Sequence, residues 1–169
     1  MKHLPTVTVC AGDIAPGVAV RLARAKAAEM FTAAGVRIQW HSLVKCPTHA
    51  LQVTFLEQSR PTDHPAAFAY AQLSEGTHIV VFYDRVKAVS NGDFSTLLAH
   101  VLVHEITRVL QGTARHSETG IMKATFTPND QHEMRRRPLT FEKIDIRLIH
   151  HGLELRESNA VALLASGSR

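Results

Sequence analysis

His104-Glu105-Ile106-Thr107-Arg108, which continues through Gly112 and His116 to Met122 as HEITRVLQGTARHSETGIM, decides how the rest of the chain is read. In an H-E-x-x-H helix two imidazoles one turn apart project from one face to bind zinc, and the glutamate between them activates the zinc-bound water. Here the place of the second histidine is taken by Arg108. Arginine stays protonated and carries only donors, so it cannot present the lone pair that an imidazole gives to a metal. The segment therefore has the pattern of a metal helix with one ligand overwritten.

Working outward, a cap at Asp93 or Ser95 starts this helix, and Gly112 stops it. Phe94, Leu97, Leu98, Val101, Leu102, Val103, Ile106, Val109 and Leu110 surround most of its circumference, which predicts a buried helix. The polar exceptions are His100, His104, Thr107, Arg108 and Gln111, with Glu105 beside them; spacings of three and four place the main set on one stripe. Burying His104, Glu105 and Arg108 without partners is costly, so a metal, a cleft or an internal ion pair has to satisfy them. Arg108 reads either as a surface residue at the helix end or as a guanidinium turned into the site, where it would pair with Glu105 three residues earlier. His100 is either half of an alternative histidine pair with His104 or a structural hydrogen-bond donor, and Glu118 is a further carboxylate candidate.

Before this helix, Val7 and Val9 alternate with Thr6 and Thr8 as a strand, Gly12 to Gly17 breaks the pattern, and Val18 to Ala34 reads as a helix closed by Gly35. Its inward face is Val20, Ala23, Ala27, Met30, Phe31 and Ala34. Val36, Ile38 and Trp40, then Leu51, Val53 and Phe55, mark two half-buried strands. Glu57 to Gly76 reads as a long loop, and His78 to Tyr83 as a fourth strand covered on both faces. After the Gly120 turn, Thr127-Pro128 opens a short helix ending before Pro138. Thr140 caps a last helix that Gly152 stops. Residues 1–157 thus read as one domain and 158–169 as a tail that frays.

A length of 169 residues, 45% hydrophobic and 20% charged, suits one core. The net charge of +4 comes with one dense basic run, Arg135-Arg136-Arg137, and only 6% aromatics, so a solvated face is expected and no nucleic-acid partner. No stretch approaches the roughly 20 apolar residues of a membrane span, and Met1 to Pro5 leads into a strand without a signal-peptide core. The chain reads as soluble, and localisation stays open, export included. Cys10 and Cys46 are compatible with a disulfide or with two thiols; the reading adopted is two thiols that the fold does not depend on.

The segment HEITRVLQGTARHSETGIM resembles the zincin metalloproteases, and more narrowly a group of small bacterial zincin-like proteins whose helix reads H-E-I-x-H-x-L-x-G-x-x-x-H-S followed by a T-G-I-M turn. The resemblance extends to Val80-Val81-Phe82-Tyr83-Asp84-Arg85-Val86 upstream and Leu139-Thr140-Phe141 downstream. It implies an α+β zincin-like fold: a small mixed twisted sheet, a buried site helix, a Met-turn and a C-terminal helix. It further implies zinc held by His104 and His116, Glu105 as general base, and Met122 as the apolar floor, with Gly112 and His100 supporting. A peptide or protein substrate would lie along the edge of the Ile79 to Tyr83 strand. Arg108 and the longer spacing from Glu105 to Gly112 and His116 depart from the metzincin H-E-x-x-H-x-x-G-x-x-H pattern. The expected protein is a metallopeptidase with an impaired metal site. The rival is a non-catalytic, metal-free peptide-binding module of the same fold, a pseudoenzyme.

Overall fold

The alternation of Val7, Val9 and Ala11 with polar or smaller residues builds β1 (Thr6–Ala11), and its inward residues are buried. The computed structural model describes residues 3–12 and 17–167, so the break expected between Gly12 and Gly17 lies largely outside the described residues. Helix α1 (Val18–Ala33) buries Val20, Ala23, Ala27, Met30 and Phe31, the face its spacing predicts, and Gly35 takes the left-handed conformation just beyond it. β2 (Arg37–Ser42) and β3 (Leu51–Leu56) follow, both parallel to β1.

Two segments differ from the sequence reading. Within the expected loop Glu57 to Gly76 lies β4 (Ala69–Gln72), which runs antiparallel to β5 (His78–Phe82). The sheet order is β2-β1-β3-β5-β4, which makes it mixed and five-stranded. β5 buries Ile79 and Val81 on one face, and on the other buries Phe82 while His78 and Val80 stay part-exposed, so the expected cover on both of its faces is complete on one and partial on the other. The chain turns helical at Tyr83 instead of continuing the strand, giving α2 (Tyr83–Val89).

Helix α3 (Phe94–Gln111) starts where Asp93 accepts from the Thr96 N–H and ends at Gly112 with φ 64°. Between Thr96 and Leu110 every residue except Arg108 is buried. α3 packs on α1, on β4 and β5, and on α5 (Lys143–Ser166). Helix α4 (Pro128–Arg136) has the expected Thr127 cap, closed as a box by Asp130, and leaves Arg135, Arg136 and Arg137 exposed.

α5 corrects the end of the sequence reading. Glu142, not Thr140, is its N-cap, with Asp145 completing a capping box, and the helix passes through Gly152 to Ser166. Residues 158–166, expected to fray, continue it with exposed side chains. Gly152 is there for close approach, because a Cβ on it would overlap the backbone carbonyl of Leu110 on α3. Gly152→Ala should therefore cost about 1–3 kcal/mol, the range of an overpacked core. An unaltered urea midpoint would show that the two helices separate freely.

Cys10 and Cys46 are bonded, with Cα atoms 5.7 Å apart. The expectation of two thiols is corrected: the bridge ties the C-terminal end of β1 to the 3-10 turn that follows β2. No described helix is long and apolar enough to cross a membrane.

Candidate active site

The sequence trio His104, Glu105 and Arg108 meets His116 in one cavity of about 380 Å³, walled on one side by the segment 66–69 and on the other by Val101 and residues 123–126. The helix period brings the first three together, and the return of the chain after Gly112 brings the fourth. The rings of His104 and His116 stand 5.4 Å apart at 27°. His104 Nδ1 lies 2.9 Å from the Ile121 carbonyl, which can only accept, so Nδ1 carries the proton and the Nε2 lone pair is left free. Nε2 is 3.9 Å from Glu105 Oε1. Burial lowers the His104 pKa to about 4, so the imidazole is neutral at neutral pH.

Arg108 turns inward. Its side chain is 18% exposed and its Nη1 donates to Glu105 Oε2 at 3.3 Å, so the surface reading of this arginine gives way to the inward one. Burial nevertheless pushes the Glu105 carboxyl up to about 7, against the pull of the guanidinium, as suits a long single contact. The His116 ring is exposed, yet its pKa is lowered, first by the part that is desolvated and second by the charge of Arg108.

His100 does not face this group as a ligand. Its Nε2 accepts from the Leu139 N–H at 3.1 Å, so Nδ1 holds the proton and donates to the Thr96 carbonyl at 2.7 Å, which occupies both ring nitrogens. Glu118 is exposed. Met122 is fully buried, in the turn whose Ile121 carbonyl orients His104. Gly120 has φ 73° there, and the Ile121 N–H donates to the Thr140 carbonyl at 3.0 Å.

Two positioning residues, Asp145 and Arg85, have no role that the sequence reading assigned. Asp145, fully buried at the start of α5, accepts from Arg115 Nη1 at 2.6 Å and Ser117 Oγ at 3.2 Å, so it fixes the chain on both sides of His116. Arg85 donates to Ser59 Oγ and to the carbonyls of Arg60, Asp63, His64 and Ala67, and thereby holds the segment that forms the cavity wall. β5, expected to offer its edge to a peptide, is paired on both sides; the strand that ends the sheet is β4, and it packs on α3.

Catalytic zinc takes three protein ligands and a water. Here two imidazoles face a carboxylate already held by arginine, and among the described residues no three His, Cys, Asp or Glu side chains form a group able to hold a metal. The residues present do not fit a catalytic zinc.

No family model matches the sequence, and no curated protein matches it. Among solved structures, archaemetzincin from Methanopyrus kandleri superposes with a TM-score of 0.59 at 14% identity, over 89% of this chain and 96% of the other. Archaemetzincin from Archaeoglobus fulgidus, complexed with malonate, superposes with a TM-score of 0.56 at 13% identity, over 85% of this chain and 99% of the other. At such identities the likeness shows the fold alone: this chain has the small α+β, zincin-like architecture of the archaemetzincins.

Proposed function

We propose that this protein is a metallopeptidase-like binding protein, whose cleft receives an extended peptide or unfolded protein segment while Arg108 has removed or severely reduced metal-dependent hydrolysis. The observation that carries this reading is the Arg108–Glu105 pair inside the cavity, Nη1 3.3 Å from Oε2. A guanidinium there sets a permanent positive charge beside the two imidazoles and occupies the carboxylate that would have served as the base. The archaemetzincin-like fold supports a peptide or protein as the ligand. So does β4, which closes the sheet next to the cavity with an outer edge suited to strand addition.

A residual metallopeptidase is the second reading. It is favoured by His104, whose Nδ1–H is anchored on the Ile121 carbonyl, the arrangement that orients imidazole ligands in metal sites. Metal analysis after dialysis, paired with an assay on casein, separates the two. We expect zinc well below one per chain and no cleavage. One zinc per chain that survives dialysis, with turnover that Glu105→Ala abolishes, overturns the binding-protein reading in favour of the enzyme.

A further inference from the structure

The cavity beside α3 holds donors that its own acceptors do not use. Among the described residues Arg108 makes one hydrogen bond, the long contact from Nη1 to Glu105, and its Nε is buried without a partner. Among the described residues no hydrogen bond reaches its Nη2 either. Lys123 also lines the cavity, with its ammonium 2.7 Å from Asp130, an acid that does not line it. Glu105 is the one carboxylate among the described lining residues, and Lys123 is neutralised by Asp130, so Arg108 is the cation whose donors remain unfilled. His104, His116 and Thr125 are its other polar lining residues, and Val101, Phe126 and the alanines of the segment 66–69 supply an apolar wall.

A guanidinium recognises a carboxylate best through two parallel N–H···O bonds, and the Nε and Nη2 edge of Arg108 is the edge Glu105 leaves unfilled. An unfilled buried donor is a cost that a bound acceptor relieves. Nε is fully buried, so a carboxylate meets Nη2 first and takes Nε only as the side chain turns toward the cavity. The apolar wall of Val101, Phe126 and the alanines favours an organic acid, which brings apolar surface of its own, over an inorganic anion.

We infer that the cavity is a receptor for a peptide carboxylate, anchored on Arg108, with an apolar side chain of the same peptide seated against Val101 and Phe126. This rests on the reading of the cleft as a peptide-binding one and names the group it selects. The carboxylate comes either from the end of the chain or from an aspartate or glutamate side chain.

The test uses fluorescence anisotropy on the full-length protein with three N-terminally labelled pentapeptides. One ends in leucine with a free carboxylate, the second is its C-terminal amide, and the third is the amide with one internal aspartate. A peptide that carries the recognised carboxylate, the free acid or the aspartate amide, should bind about tenfold or more tightly than the plain amide, the scale of a charge-assisted contact. Arg108→Gln should abolish that difference, whereas Arg135→Gln on the exposed face of α4 should keep it. Tight binding by the aspartate peptide assigns the carboxylate to side chains; tight binding by the free acid alone assigns it to the chain end. Equal binding of all three peptides to the unaltered protein overturns the carboxylate receptor and leaves the peptide cleft standing. Absence of binding by all three peptides overturns both. The acid–amide comparison needs no variant, so a poorly folded Arg108→Gln does not decide the result.

Discussion

Arg108→His should turn a protein that retains little zinc into one that binds it stoichiometrically. Position 108 lies one turn beyond His104, whose Nε2 lone pair is already free, and the His116 ring faces His104 at 5.4 Å. The substitution adds a second helical imidazole and releases Glu105 from its ion pair with the guanidinium. Metal that binds the folded state stabilises it by about 2.7 kcal/mol at a free concentration 100 times the dissociation constant. For a domain of this size that is a rise of about 5–10 °C in the thermal midpoint. The parent should show no such rise at the same zinc concentration. Casein cleavage, if it appears with the metal, should vanish in Arg108→His combined with Glu105→Ala while zinc is kept. A revertant that takes up no more zinc than the parent would mean that His104, His116 and position 108 do not converge, and the metal-site ancestry of this cavity would fall.

Reducing the Cys10–Cys46 bond should destabilise the fold markedly. The bond spans 36 residues of sequence, a loop whose closure in the unfolded chain is worth about 4 kcal/mol on the chain-entropy account. At about 2–4 °C per kcal/mol the thermal midpoint should drop by roughly ten degrees or more under reductant. Cys10→Ala combined with Cys46→Ala should reproduce the drop and make the midpoint insensitive to reductant. Identical midpoints with and without reductant, in protein whose thiols react with dithionitrobenzoate before unfolding, would show that the bond does not form in solution.

The sequence alone carried the site helix nearly whole. The cap, read as Asp93 or Ser95 and found at Asp93, the stop at Gly112, the apolar circumference and the polar stripe through His104 and Arg108 with Glu105 beside it are all local in the chain, because helical capping and periodicity act over three or four residues. The same holds for the inward face of α1 and the Thr127 box of α4. The zincin-like α+β fold was legible through the resemblance of the motif, and the superposition on archaemetzincins bears it out.

What the sequence left open is what depends on distant partners. Arg108 has one identity and two readings; the cavity formed by the segment 66–69 and residues 123–126 settled that it turns inward. The stop expected at Gly152 proved to be a contact between helices, since a glycine that ends a helix and one that admits a neighbouring backbone carry the same letter. β4 was invisible because four residues are too short for periodicity to mark, and only pairing with β5 defines them. Asp145 and Arg85 act across some twenty to thirty residues of sequence on the chain around His116 and on the cavity wall. The local sequence determined which groups exist and which helix carries them. Tertiary structure decided which of them meet, because hydrogen bonds, ion pairs and a disulfide between segments depend on distances that only the folded chain sets.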